Sequence, residues 1–168
     1  MNIENLKNFK IFDGLSNAEV KLFTEKIEPK SYAKNEMVMK EGESGHSILF
    51  LLSGEISVTK SLTLSTNKDE AKDNRQKEFI RYKAQDNIII GEVSLFNNDH
   101  KRTASAKALE HSDIGAINKK DFFDICNSNT EVGYKVLKNL IAIITEKLID
   151  TNHQVLKLTT AFSLVIDN

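Results

Sequence analysis

The amino-acid sequence predicts an α+β domain that is mainly β, with a helix near its N-terminal end and a long helix at its C-terminal end. From about residue 31 to residue 118, short β-rich runs alternate with turns that contain glycine or asparagine. Many short strands at such spacing favour a sandwich or a jelly-roll barrel. After Asn118 the apolar residues recur three and four positions apart, which is the spacing of helices.

The first helix is predicted to begin after Ser16. The Ser16 side chain can cap the helix and Glu19 can bond back to it, which is the capping-box arrangement. Apolar residues then recur on one face as far as Ile27, and Pro29 ends the helix.

The β region is predicted from short runs rich in branched and aromatic residues. These runs are 37–39, 47–52, 55–59, 79–82, 87–90, 104–108 and 114–117. Turn residues separate them at 41–45, 53–54 and 97–99. Residues 65–78 are almost entirely polar and charged, so we expect an elongated, mobile hairpin loop there.

The C-terminal region is predicted to contain two helices. Asn118 can cap a short one, and Ser128 or Asn129 can cap a long one that reaches about residue 158. The long helix carries a heptad seam, typical of a two-stranded coiled coil, made of Tyr134, Leu137, Ile141, Ile144, Leu148, Thr151, Val155, Leu158 and Phe162.

A second apolar stripe of the long helix, at Val132, Val136, Leu140 and Ile143, would pack on the barrel. The alternative is that both stripes form one wide core face of a monomer. A helix of this length cannot bury both stripes against one small barrel, so we expect a homodimer through this helix.

The composition limits the classes of function. The chain has 168 residues, 40% hydrophobic and 28% charged, as expected for one globular domain. Lys and Arg number 23 against 24 Asp and Glu, which gives no basic footprint for nucleic acid. Apolar runs are far shorter than a membrane span, and the N-terminus has no export signal. We therefore expect a cytoplasmic protein without a membrane contact.

Metal and catalytic chemistry are not expected either. Cys126 is the single cysteine, and the four histidines lack the spacing of metal ligands. Ser44 with His46, and Asp99 with His100, are not completed by an orienting group at a recognised spacing. We therefore expect no catalytic residue, no metal, no cofactor and no enzyme activity.

One segment, residues 90–106, has the residue types of a phosphate site. Gly91 allows close approach of the backbone, and the residues after it predict a very short helix whose first amides can donate to an anion. Arg102 adds a permanent charge and a planar fork, and Thr103 adds a hydroxyl. Glu92 can accept a bond from a sugar hydroxyl. This combination suits a small phosphorylated sugar.

Residues 90–106 resemble the phosphate-binding cassette of cyclic-nucleotide-binding domains, and we call them the cassette. The family pattern is Gly-Glu-(Leu/Ile)-(Ala/Gly/Ser)-Leu-apolar, a short loop, and Arg-(Ala/Ser/Thr)-Ala-(Ser/Thr). The spacing from Gly91 to Arg102 is similar to that of the bacterial catabolite activator and one residue longer than in protein kinase A regulatory subunits. Lys101 replaces the proline common in the kinase family. The resemblance covers about residues 6–155, including glycine turns at 40–43 and 52–56.

The resemblance implies one cyclic-nucleotide-binding domain over residues 1–168. It implies an eight-stranded jelly-roll (double-stranded β-helix) barrel at about 28–118 and C-terminal helices at about 119–160. The ligand would be cyclic AMP or cyclic GMP, with cyclic AMP favoured because it is commoner in the family. Glu92 would bond the ribose 2′-hydroxyl and Arg102 the exocyclic phosphate oxygens. The ligand-binding set is Gly91, Glu92, Val93, Ser94, Arg102, Thr103, Ala104 and Thr145, while the side chains of Val93, Leu95 and Phe96 would fill the barrel wall.

The end of the site that would hold the base differs from the bacterial activator. The two helix positions that meet adenine there correspond to Lys147 and Leu148, which have no hydroxyl. Thr145, Thr151 and Asn152 could substitute. Thr103 follows the arginine, as it often does in guanine-preferring members, so the base preference stays open.

The resemblance also implies a stand-alone sensor that signals through its C-terminal helix to an effector protein. Only residues 159–168 follow that helix, so a winged helix-turn-helix has no room and no DNA binding of its own is expected. The alternative is a ligand-free dimerisation or interaction scaffold with the same fold.

Overall fold

Two four-stranded antiparallel sheets form the body of the computed structural model, which describes residues 3–61 and 76–166. The described residues contain eight strands: β1 Glu28–Tyr32, β2 Met37–Met39, β3 Ser47–Leu51, β4 Glu55–Ser61, β5 Gln76–Lys83, β6 Ile89–Ile90, β7 Ser105–Ala108 and β8 Ser112–Asn118. One sheet has the order β1-β8-β3-β6 and the other β2-β7-β4-β5. This pairing is that of a jelly roll, so the predicted mainly β fold is confirmed.

The sequence pattern missed strand β1 and placed the start of β5 too late. β1 is polar and contains Pro29, which an edge strand tolerates because it pairs on one side alone, here with β8. Residues 76–78, predicted as the end of the hairpin loop, belong to β5 because they pair with Thr59, Lys60 and Ser61 of β4. The rest of that predicted loop, residues 65–75, lies outside the described residues.

The N-terminal part forms helix α1 (Ile3–Lys7), a 3-10 turn (Lys10–Phe12) and helix α2 (Asn17–Thr24). The capping box is confirmed: the Ser16 hydroxyl accepts from the Glu19 amide at 3.3 Å, and the Glu19 carboxylate accepts from the Ser16 amide at 2.6 Å. The helix ends earlier than predicted, at Thr24, and the chain is already extended at Glu28, the residue before Pro29. Ile27 still reaches the core from outside the helix.

The C-terminal part contains helix α4 (Lys119–Ser128) and helix α5 (Thr130–Ile166). The predicted cap of α4 is confirmed, since the Asn118 side chain accepts from the Asp121 amide at 2.8 Å. α5 has 37 residues and extends beyond the predicted end at residue 158. None of the helices in the described part of the chain combines the length and apolar character needed to cross a membrane.

Two core clusters hold these elements together. One combines the N-terminal helices, α4 and the first half of α5 with one sheet, and its last buried member on α5 is Leu140. The other lies between the two sheets. A four-residue helix, α3 (Val93–Phe96), follows β6 and contributes the buried Leu95 to the first cluster. The cassette therefore lies where the sheets, α3 and α5 meet.

Candidate ligand site

A cavity of about 210 Å³ opens beside α3 and is bounded by both sheets and α5. Seven of the eight predicted ligand-binding residues line it, and Thr145 does not. The complete lining is Met39, Val58, Ile80, Tyr82, Ile90, Gly91, Glu92, Val93, Ser94, Arg102, Thr103, Ala104 and Lys147. The cassette thus supplies one polar wall, and aliphatic side chains with Tyr82 supply most of the other.

Arg102 is buried, with 8% of its surface exposed, and hydrogen bonds hold both its side chain and its backbone. Its Nη1 donates to the carbonyls of Ser47 at 2.8 Å and Gly91 at 2.9 Å and to the Ser94 hydroxyl at 3.0 Å, while Nη2 donates to the Ser47 hydroxyl at 3.0 Å. Its backbone amide donates to the Glu43 carbonyl at 2.8 Å. Burial lowers the pKa of Arg102, and the Glu92 charge partly opposes that effect. The guanidinium is therefore fixed and only partly solvated, which strengthens its attraction for an anion.

At two glycines the absence of a side chain makes room for the side chain of Arg102. Gly91 has a φ of +78°, and a Cβ atom there would collide with the Arg102 guanidinium. At Gly45, a Cβ atom would lie 2.5 Å from Arg102 Cδ and 2.8 Å from Cζ. Gly45 lies 57 positions from the arginine, in the predicted turn at 41–45. The sequence pattern identified that turn but not its role in the site.

Glu92 is the second buried charge of the cavity, with 3% of its surface exposed. Its Oε1 accepts from Lys147 Nζ at 2.8 Å. The same ammonium donates to the Ile89 carbonyl at 3.0 Å. Glu92 thus pairs with a lysine of α5, whereas Arg102 bonds to oxygens of Ser47, Gly91 and Ser94. A buried carboxylate needs a cation as its partner. The sequence does not show which lysine provides that cation.

The remaining cassette residues differ in exposure. Ser94 is buried, and its hydroxyl donates to the Gly91 carbonyl at 2.7 Å. Thr103 is exposed on the cavity wall and Ala104 is half-buried. Leu95 is buried as predicted, but Val93 and Phe96 are exposed rather than in the barrel wall. A single helical turn buries one face, and positions three apart share the other face.

A second cavity of about 400 Å³ adjoins the first and continues along α5. The two share Val58, Ile80, Tyr82, Ala104 and Lys147. Thr151 lines this second cavity, and its hydroxyl donates to the Lys147 carbonyl at 2.8 Å. The Thr145 hydroxyl donates to the Ile141 carbonyl at 2.8 Å and lies away from both cavities.

Tyr82 marks the boundary between the two cavities, and its surroundings are acidic. Burial raises the pKa of its phenol, and the charges of Glu92, Asp150 and Asp86 raise it further. The phenol therefore stays a neutral hydrogen-bond donor at physiological pH. The whole arrangement can accept a ligand that has an anion, a neighbouring hydroxyl and a flat apolar part. No group of acidic, histidine or cysteine side chains among residues 3–61 and 76–166 could hold a metal ion.

Comparisons with known proteins agree with this arrangement. A family model described as "Cyclic nucleotide-binding domain" matches residues 29–129. The cAMP-dependent protein kinase regulatory subunit of Debaryomyces hansenii is 26% identical over 117 residues, which are 70% of this chain and 22% of that protein. The chain therefore spans about a fifth of the length of this relative.

Solved structures share the fold at low identity. A cyclic nucleotide-binding domain from Methylobacillus flagellatus aligns with a TM-score of 0.74 at 22% identity, covering 92% of this chain and 80% of that one. The Thermus thermophilus catabolite activator protein aligns with a TM-score of 0.73 at 20% identity, covering 89% of this chain and 63% of that one. Both likenesses support the jelly-roll assignment.

Proposed function

The chain belongs to the cyclic nucleotide-binding domain family, and we propose that its cavity binds cyclic AMP or cyclic GMP. The observation that carries the proposal is that one small cavity holds both a buried Arg102 and a buried Glu92, supplied by the cassette. The family is regulatory rather than catalytic. We accordingly propose a sensor domain over residues 1–168 and no reaction.

Arg102 would bind the exocyclic phosphate oxygens. A guanidinium has five N–H donors, and the bonds described above use both hydrogens of Nη1 and one of Nη2, so the Nε hydrogen and the second Nη2 hydrogen remain for phosphate oxygens. Glu92 would accept from the ribose 2′-hydroxyl. Gly91 would allow the phosphate to approach the backbone, while Ser94 and Thr103 would complete its hydrogen bonds. Val93 and Ala104 would line the same wall.

The base would extend towards the second cavity, where α5 offers Thr151 and Gln154. Cyclic AMP is our first choice, because the kinase subunit that this chain resembles is named as cAMP-dependent. Thr145 stays a prediction, since it could meet the base only after a movement of α5.

The proposed output is a homodimer through α5 that acts on an effector protein. Seam residues remain exposed in the single chain, with Ile141 at 65% and Leu148 at 58%. Apolar residues at this spacing bury their surface when two such helices associate.

A ligand-free interaction scaffold is the second candidate. It is favoured by the fact that both buried charges already have partners within the chain, Arg102 through Ser47 and Gly91 and Glu92 through Lys147. In that case the cavity would need no ligand to satisfy its polar groups.

Calorimetric titration with cyclic AMP, cyclic GMP and linear AMP separates these candidates. We expect at least one cyclic nucleotide to bind and linear AMP to bind much more weakly. Arg102→Ala should weaken binding by roughly tenfold to a hundredfold, because a charge-assisted bond contributes about 1.5–3 kcal/mol. Arg102→Lys should recover part of the loss, since an ammonium lacks the fork.

The matched control is Lys101→Ala, which removes the same charge from the exposed neighbouring position. It should leave the affinity within about twofold, since an exposed charge is largely screened. Failure of the wild type to bind any cyclic nucleotide would favour the scaffold. Equal binding by wild type and Arg102→Ala would place the ligand elsewhere.

A further inference from the structure

The buried Glu92 carboxylate forms an ion pair with Lys147 of α5 at 2.8 Å. Only 4% of the Glu92 side chain is exposed, against 35% of the Lys147 side chain. Their 2.8 Å contact joins the start of α3 to α5, residues that lie 55 positions apart. A half-buried pair of this kind is costly to break from one side, because the carboxylate is then left alone.

Lys147 also stands where α5 leaves the body of the molecule. Leu140 is the last buried residue of α5, and Ile143 and Ile144 are partly buried against the first core cluster. Every residue from 148 to 165 is exposed. The two bonds of the Lys147 ammonium, to Glu92 and to the Ile89 carbonyl, are therefore the final attachment of α5 before its exposed half.

We propose that Lys147 is a latch that the ligand must release. The inference rests on the proposed function, in which the ribose hydroxyl takes the Glu92 carboxylate. The hydroxyl and the Lys147 ammonium then compete for one carboxylate, whose Oε1 accepts from Lys147, so ligand binding and detachment of α5 at Lys147 are coupled. By linkage, a partner that holds α5 against the body lowers the affinity for the ligand, and the ligand lowers the affinity for that partner by the same factor.

The variant test is Lys147→Gln, which removes the ammonium but keeps a donor near Glu92 so that the carboxylate is not left alone. Because a neutral amide is a weaker competitor than an ammonium, the carboxylate should bind the ribose more readily, and affinity for cyclic AMP should rise about threefold to tenfold. The matched control is Lys10→Gln. Lys10 binds Glu146, the neighbouring residue of α5, at 2.7 Å, but this pair is exposed and lies outside the ligand cavity. It should leave the affinity unchanged.

A second test needs no variant. Amide hydrogen exchange over residues 143–150 would be measured in the free wild type, with cyclic AMP, and with 2′-deoxy cyclic AMP at matched occupancy. Cyclic AMP should speed exchange in this segment. The deoxy analogue has no hydroxyl for Glu92, so it should bind more weakly and leave exchange at the rate of the free protein.

The outcomes separate the two proposals. If the wild type binds no cyclic nucleotide, the proposed function fails and the latch fails with it. If cyclic AMP binds but Lys147→Gln lowers or does not change the affinity, Lys147 is a ligand contact or a bystander and the latch alone is wrong. Equal exchange with the two nucleotides also overturns the latch. Should Lys147→Gln fail to fold, the exchange comparison decides by itself.

Discussion

The cavity and the distal half of α5 differ in opposite ways from an ordinary domain, because the cavity buries charges and the distal helix exposes apolar side chains. Around the cavity, the buried Arg102 is held by several hydrogen bonds and the buried Glu92 by one from Lys147, and glycines leave the space that Arg102 fills. Along residues 148–165, large apolar side chains stay exposed to water. The cavity is lined by residues of one chain, whereas the distal part of the helix exposes apolar residues that an associating surface would cover. Substitutions should therefore affect ligand binding in the first region and association in the second.

The largest change in ligand affinity is expected from filling the space beside Arg102. Gly91→Ala places a methyl group against the guanidinium at a position where φ is +78°. We expect ligand affinity to fall more than tenfold and the free energy of unfolding to fall by about 1–2 kcal/mol. Titration and denaturant unfolding measure the two effects.

Gly14→Ala is the control for the backbone penalty alone. Gly14 has a φ of +76°, and a Cβ atom there would meet nothing within 4 Å. It should lose stability through the backbone penalty alone, no more than Gly91→Ala loses, and keep its affinity. Equal loss of affinity in both variants would show that the fit around Arg102 does not matter.

The second prediction concerns the heptad seam, which has members on both sides of Lys147. Changing Ile141 and Leu148 together to Lys removes two exposed apolar residues of the heptad seam and adds charges to it. We expect light scattering to show a dimer for the wild type and a monomer for the variant, with ligand affinity unchanged. Replacing His153 and Lys157 with Ala, on the same helix but outside the seam, should leave the dimer intact. A wild type that is monomeric at high micromolar concentration would contradict the seam.

The smallest expected effect concerns the ion pair that joins the first half of α5 to helix α2. Lys135, in the first half, binds Glu19 at 3.0 Å and so joins α5 to the cap of α2. The Ser16 hydrogen bonds, together with Lys135, lower the pKa of Glu19 to about 2. A carboxyl whose pKa is depressed on folding stabilises the protein above its unfolded pKa, and this stabilisation is lost as pH falls through the folded value.

Glu19→Gln should therefore lower Tm slightly at pH 7, and the gap from wild type should close between about pH 5 and pH 2. Melting curves across this range measure it. Glu25→Gln removes the same charge from an exposed pair at 3.8 Å and should show a smaller gap. A gap for Glu19→Gln that does not change with pH would mean that the cap, rather than its charge, is the source.

The sequence predicts most of the fold because strands, turns and caps are local patterns. β2 has the predicted bounds, and Ser16 and Asn118 cap the helices assigned to them. The sequence pattern does not indicate β1, because an edge strand can be polar. It predicts too long an α2, because Ile27 keeps its core position after the helix ends. These errors arise where tertiary position overrides local pattern.

The site was predictable to the extent that one contiguous segment carries it. Gly91, Glu92 and Arg102 belong to a recognisable spacing, and all three line the cavity. Gly45 and Lys147 were not found, because their roles depend on contacts with residues more than 50 positions away. In the sequence, Lys147 stands out only as a position that lacks a hydroxyl. No local pattern shows that a lysine on a distant helix meets a buried carboxylate.

Because α5 is one continuous helix, a movement at Lys147 would also move the part of the helix beyond it. The helix is unbroken over 37 residues, about 55 Å, and about 29 Å of it lies beyond Lys147. A rod of this kind converts a small tilt at its pivot into a larger displacement at its tip. A tilt of about 10° at Lys147 would carry the far end through about 5 Å, roughly the rise of one helical turn. If Lys147 is the latch proposed above, the exchange of one hydrogen bond in the cavity would thus displace the far end of α5 by about the rise of one helical turn.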